Sequence, residues 1–147
     1  MFIERILPAA RERLVAVADD ALLIEVAGRL KDRRTGLVVV CNRNGAMVGV
    51  VSRTDIVREI SDCQGSSCLT AVATTMTKTV VYCRPGMLLR DVWSMMKEHE
   101  LQHIPLVDEH CKPLGLITVW DVLLSLLEAS EHEESLLLDY VTGVGYQ

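Results

Sequence analysis

One stretch of this chain is written twice. Gly49-Val50-Val51-Ser52-Arg53-Thr54-Asp55 recurs as Gly115-Leu116-Ile117-Thr118-Val119-Trp120-Asp121, a shift of 66 positions. The same shift, without a gap, pairs Val15 with Val81, Leu22-Leu23 with Leu88-Leu89, Val26 with Val92 and Lys31 with Lys97. Duplication restricts the fold severely, because two copies of one unit usually pack so that each covers the apolar face of the other. A chain of 147 residues has room for one compact core or two tightly packed half-domains. Half of its residues are hydrophobic and 4% are aromatic, so the core must be aliphatic.

Each copy reads as strand, helix, two strands, helix. Residues 1–13 form a lead-in in which Pro8 breaks any early helix. The first unit, 14–60, opens with a short strand from Leu14 to Val17. Asp19 or Asp20 then caps a helix striped by Leu22, Val26 and Leu30. Leu37-Val38-Val39-Val40-Cys41 is a β-branched run of the kind buried on both faces. Asn42-Arg43-Asn44-Gly45 supplies turn chemistry, a strand from Ala46 to Val51 completes the hairpin, and a helix starts near Ser52.

After a linker at 61–79, the second unit, 80–128, repeats the order. It has a strand from Val80 to Cys83, a turn at Pro85-Gly86 and a helix striped by Leu88, Val92 and Met95-Met96. Strands Ile104–Val107 and Leu114–Ile117 flank a turn from Asp108 to Lys112, and a helix runs from Thr118 to about Glu128. Pro105 removes a backbone donor from a strand, which suits an edge or a bulge. Residues 129–147 read as a separate C-terminal helix, Glu131 to Tyr140, with a tail stopped by Gly143. The plan is α+β, with helices packed on small sheets.

The chemistry concentrates in Ser52-Arg53-Thr54-Asp55 and Thr118-Val119-Trp120-Asp121. Alone, such a motif is more often a helix cap, with the hydroxyl accepting one amide and the acid reaching back to another. Aspartate is shorter than the usual Glu or Gln, which leaves its carboxylate open to other work. Both motifs follow a strand directly, where a helix N-terminus favours an anion. A hydroxyl beside a phosphate and a carboxylate on the vicinal hydroxyls of a ribose would together recognise a nucleotide. Cap and site are compatible.

The two units resemble cystathionine β-synthase (CBS) domains, and the pair resembles a stand-alone Bateman module. The resemblance rests on the duplicated Gly-hydrophobic-hydrophobic-[Ser/Thr]-x-x-Asp ending and on the strand pairs containing Val38-Val39-Val40-Cys41 and Ile104-Pro105-Leu106-Val107. The short strand leading into each first helix also matches. It covers about Leu14 to Leu127 and implies tandem CBS repeats that regulate rather than catalyse. Such modules hold AMP, ADP, ATP or S-adenosylmethionine between the repeats. By similarity Asp55 and Asp121 hold ribose hydroxyls, Ser52 and Thr118 contact phosphate, and Val17, Tyr82, Val39 and Pro105 line the base. The resemblance also implies a homodimer formed through the helices and a regulated protein partner.

The copies differ where it matters. Arg53 adds a charge in the first motif where the second has Val119, and Trp120 replaces Thr54, either to stack on a base or to block the cleft. These differences point to one well-occupied site, nearer Ser52. The rival reading is a ligand-free structural or docking dimer, suggested by Trp120 and by Leu136-Leu137-Leu138.

A net charge of −5 argues against a nucleic-acid partner. Residues 1–60 nevertheless carry ten Lys and Arg against eight Asp and Glu, while residues 61–147 carry five against twelve. An anionic ligand is better placed in the first half. No apolar run is long enough to span a membrane, and Met1-Phe2-Ile3-Glu4-Arg5 lacks the layout of a secretory signal. Five cysteines suit a reducing compartment, so the expected location is cytoplasmic. Cys63 and Cys68 in the linker, with Cys83, Cys111, His99, His103 and His110, give a metal or thiol-redox reading less support than simple burial does. No P-loop, dinucleotide fingerprint or nucleophile–base pair is present, so no catalytic residue is assigned.

Overall fold

A computed structural model describes residues 3–31, 36–62 and 70–138, with the side chains of Glu4, Asp62 and residues 129–138 left undescribed. A 3₁₀ turn (Ile3–Ile6) runs into helix α1 (Leu7–Arg13). The first repeat follows as β1 (Ala16–Ala18), α2 (Leu23–Lys31), β2 (Leu37–Cys41), β3 (Met47–Ser52) and α3 (Arg53–Asp62). A second 3₁₀ turn (Val72–Thr74) precedes α4 (Leu89–Glu98), β4 (His103–Val107), β5 (Pro113–Thr118) and α5 (Val119–Leu138). The result is α+β, with two repeats and a C-terminal helix.

The duplication persists to the level of register. In the first sheet β1 runs parallel to β2, β2 is antiparallel to β3, and Val39 faces Val50. In the second, β4 is antiparallel to β5 and Pro105 faces Leu116. Both hairpins shift register at matching places, Val40/Cys41 and Leu106/Val107. Their turns are built alike. Asn42 Oδ1 accepts the amides of Asn44 and Ala46, and Asp108 Oδ1 accepts those of His110 and Lys112. Each turn ends in the left-handed region, at Gly45 (φ 83°) and Cys111 (φ 62°), and only the glycine adopts it without strain.

Three sequence-based expectations are corrected. The strand expected at Val80–Cys83 is reduced to one bridge, Cys83 with Leu106. In the first repeat Val39 donates its amide to the Val15 carbonyl (2.9 Å), and Pro105 stands at the equivalent position without an N–H. Pro8 does not prevent an early helix. It lies in the first turn of α1, where its missing donor costs nothing. The helix after Thr118 does not stop near Glu128 to be followed by another; α5 is continuous to Leu138, because no Pro or Gly interrupts 119–138. Tyr140 and Gly143 lie outside the described residues. A smaller change concerns α2, which begins at Leu23, too far along for Asp19 or Asp20 to be its cap.

Packing shows what the repeat alone does not reveal. Ile3 and Ala10 of the lead segment are fully buried in the core of the second repeat, with Leu89, Val92, Ile104 and Ile117. Val72 is fully buried in the core of the first repeat, with Val26, Val38 and Val51, and Met76 packs against it. Each repeat is thus lidded by the segment that leads into the other. The close approach explains two glycines. A Cβ on Gly115 would lie 2.8 Å from the Ala10 backbone, and one on Gly49 would lie 2.9 Å from the Thr77 carbonyl oxygen. Between the repeats, Val39, Met47, Val50 and Val107 form a third apolar cluster.

Candidate functional site

Both strand-to-helix corners are closed by reciprocal hydrogen bonds. At the first, the Ser52 amide donates to Asp55 Oδ2 (2.9 Å) and the Asp55 amide donates to Ser52 Oγ (3.1 Å). At the second, the Thr118 amide donates to Asp121 Oδ2 (2.9 Å) and the Asp121 amide to Thr118 Oγ1 (3.2 Å). The short aspartate therefore does close the capping box, using one carboxylate oxygen. The other oxygen distinguishes the corners.

Asp55 Oδ1 has the exposed Arg58 guanidinium 3.7 Å away, a loose pair that water screens. Asp121 is gripped from across the molecule. Arg13 at the end of α1 donates through Nη1 to Oδ2 (2.5 Å) and through Nη2 to Oδ1 (3.1 Å). Nη1 also donates to the Leu116 carbonyl (2.9 Å). The lid exchange brings Arg13 here, because α1 lies along β5. The contact joins residues 108 positions apart, and no local motif announces it.

Arg13, Gln102, His103, Thr118, Val119, Trp120 and Leu123 line a recess of about 350 Å³ beside the second corner. Burial holds the His103 imidazole below its ordinary value; Arg13 and Arg53 lower it further, and Asp121 partly opposes them. The imidazole therefore sits in a field to which the lead helix and both motifs contribute. Trp120, 68% exposed, forms an open wall of this recess.

The other expected residues are dispersed. Arg53 donates through Nη2 to the Leu30 carbonyl (2.9 Å) at the C-terminal end of α2. With Ala27, Leu30, Lys31, Ile56 and Val57 it lines an apolar recess of about 330 Å³ between α2 and α3. Val17 lines a third recess, with Asp20, Glu25 and Arg29. Val39 and Pro105 are buried within their sheets. Tyr82 is exposed, with the Arg84 guanidinium 5.8 Å from its ring centroid.

The described cysteines offer little chemistry. Burial pushes the Cys83 thiol up to about 12, and burial followed by Cys111 raises Cys41, which disfavours the reactive thiolate. Among the described residues no group of three His, Cys, Asp or Glu side chains could hold a metal ion, and Cys63 and Cys68 lie outside them. No described helix is long and apolar enough to cross a membrane.

Comparison with known proteins agrees with this architecture. The family profile described as CBS domain matches residues 4–62 and 71–128. An uncharacterized protein of Methanopyrus kandleri is 23% identical over 115 residues, which cover 78% of this chain and 58% of that protein. A CBS-domain protein from Agrobacterium tumefaciens superposes with a TM-score of 0.72 at 27% identity, covering 83% of this chain and 90% of the other. The cytosolic domain of the Mg²⁺ channel MgtE, solved in complex with ATP, superposes with a TM-score of 0.66 at 28% identity. That match covers 78% of this chain and 45% of the other. The twice-repeated unit, its paired capped corners and the family match agree: this chain belongs to the CBS-domain family and carries two such domains in tandem.

Proposed function

We infer that this protein is a non-catalytic regulatory module. It binds an adenine nucleotide (AMP, ADP or ATP, with S-adenosylmethionine as a related ligand) between its repeats and signals occupancy to a protein partner. The supporting observation is the pair of capped corners, each a helix N-terminus with a hydroxyl and a carboxylate. The ATP complex of the similar MgtE domain is in keeping with it. In this reading Asp55 and Asp121 accept ribose hydroxyls, Ser52 and Thr118 contact phosphate, and Val17, Val39, Tyr82 and Pro105 border the base. The first corner is the better occupied, because Asp55 Oδ1 is not used by the cap and its pair with the exposed Arg58 is screened by water. Ligand favours one relative setting of the repeats, a population shift.

A second copy covers the exposed Ile24, Val57 and Ile60 of α2 and α3 and Leu124 and Leu127 of α5, making a homodimer. The five cysteines suit a reducing compartment, which supports a cytoplasmic location.

Thermal unfolding with AMP, ADP, ATP and S-adenosylmethionine tests the reading. A ligand at about 100 times its Kd adds about 2.7 kcal/mol to stability, enough to raise Tm by several degrees. Asp55→Ala, compared with its own ligand-free Tm, is expected to lose most of that gain. Undiminished stabilisation in that variant would remove the ribose role.

The second reading, a docking module without a small-molecule ligand, is favoured by the Arg13–Asp121 pair and the exposed Trp120. It requires that saturating nucleotide leave Tm unchanged.

A further inference from the structure

The two corners share every hydrogen bond of the cap and part company at one guanidinium. Shifting Arg13 by 66 positions leads to Thr79, which is shorter and uncharged. The second corner is thus gripped by a cation from the lead segment, and the position equivalent to Arg13 offers the first corner no such group. That grip is two-pronged and sheltered, with the Arg13 side chain 25% exposed and that of Asp121 14% exposed. Two parallel N–H···O bonds between ions are among the stronger polar contacts in proteins.

Three of the roughly four acceptor positions of Asp121 are taken, so a diol that donates to it twice must displace at least one prong of this guanidinium. A largely buried cation deprived of its partner is costly. A phosphate changes the balance. Its oxygens match the guanidinium fork as a carboxylate does, so Arg13 can exchange one anion for another. The recess beside Thr118 is lined by Arg13 itself, so the exchange requires little movement. An uncharged nucleoside offers no such replacement.

We propose that Arg13 is the specificity-determining residue of the recess beside the second corner, admitting phosphorylated nucleosides and refusing uncharged ones. The inference rests on reading the two corners as nucleotide sites, and it adds that they differ in what they accept.

Trp120 supplies a local reporter, since it lines the recess and the chain has one other tryptophan, Trp93. In the full chain carrying Trp93→Phe, Trp120 fluorescence is titrated with AMP and with adenosine, and Tm is measured in parallel. The expected result is half-saturation by AMP at a concentration about tenfold or more below that of adenosine, a gap of about 1.4 kcal/mol. Adding Arg13→Met, which keeps an apolar stem, should bring the two midpoints within about threefold, while Arg13→Lys should retain part of the preference for AMP. A preference unchanged by Arg13→Met, or equal midpoints with Arg13 present, overturns the proposal. If Trp120 answers neither compound while AMP still raises Tm, the Arg13 inference fails and the first-corner reading stands. If AMP changes neither signal, both fail.

Discussion

At the scale of single residues, Asp55 and Asp121 close the same cap at matching positions, and Asp121 is also gripped by a distant cation. The capping role of both was legible in the sequence because a Ser or Thr three positions before an acid, straight after a strand, has few other places to put its hydrogen bonds. Arg13 was not legible, since its partner lies 108 positions away and the local pattern marked it only as lead-in. His103 carries a consequence of the same neighbourhood. Its folded-state value lies below the ordinary 6.5, first through burial and then through Arg13. The folded chain therefore binds fewer protons at this group than the unfolded chain, and stability falls as pH drops through and below 6.5. His103→Gln should lessen the loss of urea-unfolding free energy between about pH 7.5 and pH 5.5. An identical loss in the variant would show that other groups carry it.

At the scale of elements, the 66-residue shift foretold both hairpins and the order of elements around them. It failed where one residue breaks the symmetry. The run Val80–Cys83 has the apolar composition of its counterpart, yet a strand needs a neighbour that donates as well as accepts. Pro105 accepts the Cys83 amide through its carbonyl (3.0 Å) but has nothing to return to Val81. Pro105→Val should restore that bond and lengthen the lead strand of the second repeat. Hydrogen exchange would then show slow exchange at the substituted amide. Fast exchange there would mean that the segment stays apart for another reason.

At the scale of the whole molecule, the repeat announced two similar halves but not their exchange of lids. Apolar residues in a lead segment show that it packs, not on which of two similar surfaces. Gly49 and Gly115 carried a trace of it, as small residues in strands that another backbone must approach. Deleting residues 1–13 should therefore expose the second repeat, whose core contains Ile3 and Ala10, before the first. Hydrogen-exchange mass spectrometry should show lost protection in β4 and β5 with β2 and β3 less affected. The reverse pattern would contradict the exchange.

The crossed lids also bear on heredity. A gene segment encoding a single half together with its own preceding stretch would carry the wrong cover, fitted to a neighbour left behind. Shuffling, truncation or duplication of this module is therefore expected to keep both cores covered when the pair travels together, or when a lone half trades covers with a twin.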